Sequence, residues 1–244
     1  MKQATLFVAG LFFALTVTAQ EQKETLLGNG NIVKENREIT TYNKISVNGF
    51  FEVELVPAEN NTVFIEGDEN IINILTTEVK DGTLFISTVN EQPVIPSRKH
   101  KIKFKVPYST LQEISLIGCG TITSNKIIKS DNFKVTVDGP GSIALSIKAV
   151  HIDSWVLGSG TINIKGTAQK FMCKVVGSGN IKGYGLNAEN VVAFISGSGN
   201  AQVNSTTAIS GKIIGTGNIT FSGEPKEKAL KLLGSGSGSF NRFE

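Results

Sequence analysis

From about residue 118 onward, apolar and polar residues alternate one by one, and a Gly-x-Gly step resets the alternation at regular intervals. The steps begin at Gly118, Gly139, Gly158, Gly177, Gly197, Gly215 and Gly234, with spacings of 21, 19, 19, 20, 18 and 19 residues. Two residues before each step stand Leu116, Val137, Val156, Val175, Ile195, Ile213 and Leu232. Six before it stand Phe133, Ile152, Phe171, Val191 and Ile209, and six after it Leu145, Ile164, Val203, Phe221 and Phe240. A small polar residue follows each step (Thr121, Ser142, Thr161, Asn180, Asn200, Asn218, Ser237), and then, in most copies, an isoleucine. The intervening positions are often polar, as at Lys134, Thr136, Asp153, Lys174 and Lys212. Period-two alternation of this kind is the signature of strands with one buried face.

A period near 19 residues is too short for a helix pair but accommodates two or three short strands with tight turns. One such coil cannot bury its inner face alone, so successive coils must stack. At ~4.8 Å per coil, seven coils make a rod on the order of 30 Å long, filled by apolar columns. The segment 118–244 is therefore predicted to be a parallel β-helix. The glycines supply positive φ or close backbone approach at a corner. The Thr/Ser/Asn column beside them can bond turn backbone and form ladders between coils. The alternative is that this column lines a ligand groove, which makes Asn180, Asn200 and Asn218 candidate binding residues.

Residues 38–117 alternate without repeating. Strand candidates are Ile45–Val56, Thr62–Glu66, Thr83–Val89, Lys101–Val106 and Glu113–Ile117, with breaks at Gly67, Asp81-Gly82 and Pro93–Pro96. A solenoid end exposes unpaired backbone and needs cover, so this block is expected to cap the N-terminal end or form irregular first coils. Residues 20–37 form a polar lead-in with at most one short strand. Residues 1–19 have a basic Lys2, an apolar run from Leu6 to Leu15 and a small-residue site at Val17-Thr18-Ala19. This is the layout of a secretory signal peptide, too short for a membrane span. The mature chain is expected outside the cytoplasm, in the periplasm, on the outer surface or extracellular, with no transmembrane span.

The chain has 244 residues and a net charge of +3, which falls to +2 when Lys2 leaves with the leader. That is too small to imply nucleic acid as a partner. The charge is nonetheless unevenly placed. Ile45 to Val79 holds seven acids and no Lys or Arg, whereas Lys80 to Lys105 holds six bases against Asp81 and Glu91. Lys101, Lys103 and Lys105 share one face of a strand whose other face is Ile102, Phe104 and Val106. Cross-strand pairing on a solvated face is one reading. The other is a basic strip of Arg98, Lys99, Lys101, Lys103 and Lys105 that binds an anionic surface glycan.

The leader, the alternating N-terminal block and the tandem steps typified by Gly177-Ser178-Gly179-Asn180-Ile181 together resemble the bacterial head GIN domain family, described as "putative auto-transporter adhesin". The resemblance covers roughly residues 38–244 and rests on many copies at near-constant spacing. It implies an exported, right-handed parallel β-helix similar to polysaccharide lyases and adhesin passenger domains. Cys119 and Pro140 depart from the pattern inside the Gly-x-Gly step, and the phase slips in the C-terminal Gly-Ser run. No β-barrel translocator pattern follows Glu244, so self-export is not expected.

Chemistry is sparsely provided. The repeats carry few acids (Asp131, Asp138, Asp153, Glu189, Glu224, Glu227), and no acidic column runs along one face. Asp138 and Asp153 are the pair that adjacent coils could bring together for polysaccharide cleavage. Asn or Thr stands where a calcium-binding repeat needs Asp, and Gly-x-Gly precedes no helix as a dinucleotide site requires. No cofactor and no metal are expected. Cys119 and Cys173 are about three coils apart, ~14 Å, beyond disulfide reach, so both are expected free. Trp155 and Phe194 share an outward phase two coils apart and can stack on sugars, with Tyr184, read as lying in a turn, able to join them. The leading expectation is a non-catalytic exported β-solenoid that binds a surface glycan or envelope protein through Trp155, Phe194, Asn180, Asn200 and Asn218. The alternatives are a carbohydrate-active enzyme and a purely structural envelope component.

Overall fold

A computed structural model describes residues 23–58, 60–97 and 100–233, together with the backbone of 239–242. The leader and the last Gly-x-Gly step lie outside the described residues. The protein is a β-solenoid of about six turns. Its body is built from Thr121–Asp138, Ser142–Gly158, Thr161–Gly177, Asn180–Gly197 and Asn200–Gly215, each hydrogen-bonded in parallel to the next. The short strands expected within a coil are thus continuous, bending strands of 16–18 residues. The bends absorb irregularities of register, as between Thr123 and Ile127 and between Asn163 and Gly166.

The register is the one that the repeat dictates. Phe133, Ile152, Phe171, Val191 and Ile209 pair in one column, and Val137, Val156, Val175, Ile195 and Ile213 in another. All ten side chains are buried. Burial of this size is the principal stabilising term, at about 1.5–3 kcal/mol for each large aliphatic side chain. Where other coils place Leu145, Ile164 or Val203, one coil has Gly183; the ring of fully buried Phe171 lies 3.1 Å from where a Cβ on Gly183 would sit.

The corner glycines are forced by two conditions. Gly197 has φ +126°, and a Cβ there would lie 2.3 Å from the carbonyl oxygen of Gly177 in the coil beneath. Neither condition admits a side chain.

The N-terminal block interleaves with the solenoid. Lys44–Asn48 and Glu52–Pro57 form one coil, lying in parallel against Glu113–Ile117 and the start of Thr121–Asp138. The expected single strand Ile45–Val56 is therefore split at Gly49, which has φ +144° and begins the glycine column. On its other side this coil pairs in parallel with Thr83–Thr88 and Lys103–Tyr108. The chain thus lays down a coil, goes to the far end to make another, and returns past both.

The outermost edges are then covered in antiparallel fashion. Leu75–Lys80 covers Thr83–Thr88, Thr62–Asp68 covers Lys103–Tyr108, and Ile32–Glu38 covers Thr62–Asp68. The lead-in therefore contributes the seven-residue strand Ile32–Glu38 as well as the short Leu26–Leu27. Its polar sequence has low strand propensity, but it suits an exposed edge. The buried Asp68 carboxylate ties this end together, accepting the backbone N–H of Gly30 at 2.8 Å and of Ser97 at 3.0 Å.

Candidate functional site

On the strand segments leading into the glycine corner, alternate side chains point outward and stack in columns along the solenoid. One column reads Thr136, Trp155, Lys174, Phe194, Lys212, Lys231, each in register with the next. Trp155 and Phe194 are thus two rungs apart, as expected, with Lys174 between them. The Lys174 ammonium lies 4.9 Å from the Trp155 ring centroid and 5.8 Å from that of Phe194. Lys134, from the coil before, lies 5.5 Å from Trp155, and Lys212, from the coil after Phe194, lies 5.6 Å from it. Each ring is therefore approached by an ammonium group from both directions along the axis.

Both rings are half-buried, and the Trp155 indole N–H is enclosed with no hydrogen-bond partner among the described residues. Ammonium groups sit against the rings that were expected to stack on sugars. A lysine resting on an aromatic face loses side-chain freedom while keeping its charge.

The surroundings make this row distinctive. Lys134 pairs with Glu113 at 2.8 Å. Among the described residues no carboxylate lies within ion-pair distance of Lys174 or Lys212. The flanking outward column contributes Leu157, Val176 and Ile214, the last two more than a third exposed.

The asparagine column is a ladder. The Asn200 amide donates to Asn180 Oδ1 at 3.0 Å, and the Asn218 amide to Asn200 Oδ1 at 3.1 Å. Those half-buried amides bind one another, as identical side chains stacked at the inter-coil spacing do. Tyr184 lies within the strand Asn180–Gly197, not in a turn, and its hydroxyl bonds with Thr220 Oγ1 at 2.6 Å beyond the glycine corner. Tyr184 follows its glycine corner, whereas Trp155 and Phe194 precede theirs.

The basic strip is threaded through acids. Lys103 pairs in register with Glu52 on one side and Glu66 on the other, Lys105 sits opposite Glu54, and Lys101 forms an ion pair with Glu52. Arg98 and Lys99 lie outside the described residues. Of the two readings, this arrangement has the form of cross-strand pairing.

A concavity of about 780 Å³ lies on a different side of the coils, where Lys129, Asp131, Lys148, Gln169, Asn187 and Glu189 line it. Sequence reasoning did not find it, because it is shaped by three-dimensional bends between columns. Asp131 and Glu189 there are three rungs apart, ~14 Å. Asp153 pairs with Lys134 and Asp138 with Leu157, which sets those two acids four residues apart along the ladder, ~13 Å. Both separations exceed the roughly 5–9.5 Å of carboxylate pairs in glycoside hydrolysis. Cys119 is exposed and Cys173 buried, and both are free. Burial pushes the Cys173 thiol up to about 12.

The family model for "Putative auto-transporter adhesin, head GIN domain" matches residues 41–225. The chain belongs to the head GIN domain family. Solved structures resemble this head GIN protein over most of its length. A "putative adhesin" from Bacteroides fragilis is 25% identical with a TM-score of 0.82, covering 89% of this chain and 100% of its own. A "putative lipid binding protein" from Parabacteroides distasonis is 25% identical with a TM-score of 0.72, covering 91% of this chain and 100% of its own. A second "putative adhesin" from Parabacteroides distasonis, at 21% identity and a TM-score of 0.70, covers 90% of this chain and 100% of its own and shares the fold. No curated protein matches the head GIN chain. No helix among the described residues is long and apolar enough to cross a membrane.

Proposed function

We propose that this head GIN protein is an exported, non-catalytic adhesin that recognises a glycan or protein of the cell envelope through the outward column running from Trp155 to Lys212. The carrying observation is the alternation of ring and ammonium along adjacent rungs, with Lys174 held against both Trp155 and Phe194. A rigid solenoid presents such groups at fixed intervals, so a repetitive ligand meets several at once, and multivalent contact multiplies weak single contacts. The family membership and the adhesin-like relatives support the same reading. The wide separations within the pairs Asp131/Glu189 and Asp138/Asp153 support binding over sugar cleavage by those acids.

The test is a pull-down from envelope extract and a glycan array, comparing mature wild-type protein with the Trp155→Ala/Phe194→Ala double variant. Saturable binding that the double variant loses while it still unfolds cooperatively is the expected result. Binding that survives unchanged, or turnover of a polysaccharide by the purified protein, would displace this reading.

A further inference from the structure

We infer that the ligand of this column is a linear acidic polysaccharide carrying about one anionic group per disaccharide, lying along the solenoid axis across the strands. The inference rests on the reading of this face as the binding surface and adds the chemistry of what it takes.

Three features carry it. The first is charge: the outward positions of three successive coils in this region, within Met172–Val176, Val192–Ser196 and Ser210–Ile214, include Lys174 and Lys212 and no acid. Neither lysine has a carboxylate within ion-pair distance among the described residues. An anionic partner therefore meets cations that need not first be freed. The second is pre-organisation. The ring of Phe194 lies between the two ammonium groups, 5.8 Å from one and 5.6 Å from the other. Trp155 supports Lys174 from the other side at 4.9 Å. Ordering these flexible side chains in advance lowers the entropy cost of binding.

The third is spacing. Lys174 and Lys212 are two rungs apart, ~9.6 Å, about the length of one disaccharide in an extended chain. Phe194 stands between them, and beside them Val176 and Ile214 flank Ser196, so the face offers apolar surface that suits the C–H faces of sugar rings.

An anionic bilayer would also be drawn to lysines. Insertion, however, needs apolar groups that protrude past the charges; Trp155 and Phe194 are half-buried beside their lysines, and the exposed side chains of Val176 and Ile214 are shorter than the lysines next to them. The polysaccharide is thus favoured, and the bilayer becomes an outcome of the test.

Trp155 is the only tryptophan in the chain, so its emission reports on this site directly. Mature protein is titrated with hyaluronan, which has one carboxylate per disaccharide, and with the same polymer after its carboxylates are reduced to alcohols. The Lys174→Gln/Lys212→Gln variant is titrated alongside, and vesicles of phosphatidylglycerol in phosphatidylcholine form a third arm. The inference expects saturable change with hyaluronan, at least tenfold weaker for the reduced polymer and for the variant, and weakening as salt rises. Equal affinity for both polymers, an unaffected variant, binding to the vesicles alone, or no response to any of them would overturn it. If hyaluronan fails while envelope material still binds in a manner dependent on Trp155 and Phe194, the adhesin reading stands and only the ligand chemistry falls. If that dependence is also absent, both fall.

Discussion

Lys174 and Trp155 occupy adjacent rungs of one column, and the lysine Nζ lies 4.9 Å from the centre of the indole ring. Replacing the ammonium by an uncharged chain of similar reach tests whether this contact is energetic as well as geometric. The Lys174→Met variant should shift the emission of Trp155 and lower stability in urea by ~0.5–1 kcal/mol, the value of a cation on an exposed ring. Identical spectra and midpoints would mean that the ring does not hold the lysine.

The glycine column is the feature least able to accept change. Gly197→Ala places a Cβ 2.3 Å from the Gly177 carbonyl at φ +126°, whereas a Cβ on Gly30, at φ +80°, has nothing within 4 Å. The first should cost upward of ~3 kcal/mol and the second ~1 kcal/mol, since a positive φ alone accounts for about 1–3 kcal/mol. Chemical denaturation of the two variants gives the comparison, and equal losses would refute the close-approach explanation.

How much was legible in the sequence follows from where each pairing partner lies. From Ser142 onward each described rung rests on one a repeat earlier, so phase alone predicted that Phe133, Ile152 and Phe171 stack. In the N-terminal block Ser46 pairs with Ser115 on one side and Phe85 on the other. Nothing local in these segments marks the pairing. Gly49-Phe50-Phe51 lacks the second glycine, which hid the first coil from a search for Gly-x-Gly. The cation row was partly legible: Trp155 and Phe194 were picked out, while Lys174 and Lys212 share their phase and were passed over as ordinary polar positions.

Asp68 makes the capped end sensitive to acid. Burial pushes its carboxyl up, but hydrogen bonds from Ser97 and Gly30 and the charge of nearby His100 outweigh this and hold it below the ordinary aspartate value. A carboxyl whose folded pKa lies under its unfolded one contributes stability above the unfolded value and loses it as pH falls through the folded value. Thermal unfolding followed from pH 7 down to pH 2 should therefore show a decline below the normal aspartate range that flattens in Asp68→Asn. At neutral pH that variant should be less stable by ~1–3 kcal/mol, because an amide cannot accept both backbone N–H groups. A variant with the same midpoint and the same pH profile would remove Asp68 from this role.

The asparagine ladder should behave as a chain with a middle link. Asn200 both donates to Asn180 and accepts from Asn218, so Asn200→Ala breaks two hydrogen bonds of the ladder and Asn180→Ala breaks the one from Asn200. At about 0.5–1.5 kcal/mol for each bond, the middle variant should be the less stable of the two by denaturant melting. The reverse order would contradict the ladder.

The two thiols should react differently. Cys119 is exposed, and burial raises Cys173 to about 12, so almost no Cys173 thiolate exists at neutral pH. Alkylation followed by mass spectrometry should add one label to the native protein and two in guanidinium. Two labels on folded protein, or an intramolecular bridge in unreduced protein, would place Cys173 elsewhere than the core.

Two faces of the solenoid can be compared by removing equal charge from each: Lys174→Gln/Lys212→Gln on the ring-supported column, and Lys129→Gln/Lys148→Gln in the large concavity. Binding isotherms of both variants against one acidic polysaccharide test whether the ordered cation row is the working surface. The first pair should lose at least tenfold in affinity and the second stay within twofold of wild type. Loss confined to the second pair, or an equal loss in both, would show that overall charge or the concavity, and not the row of rings and ammonium groups, does the binding.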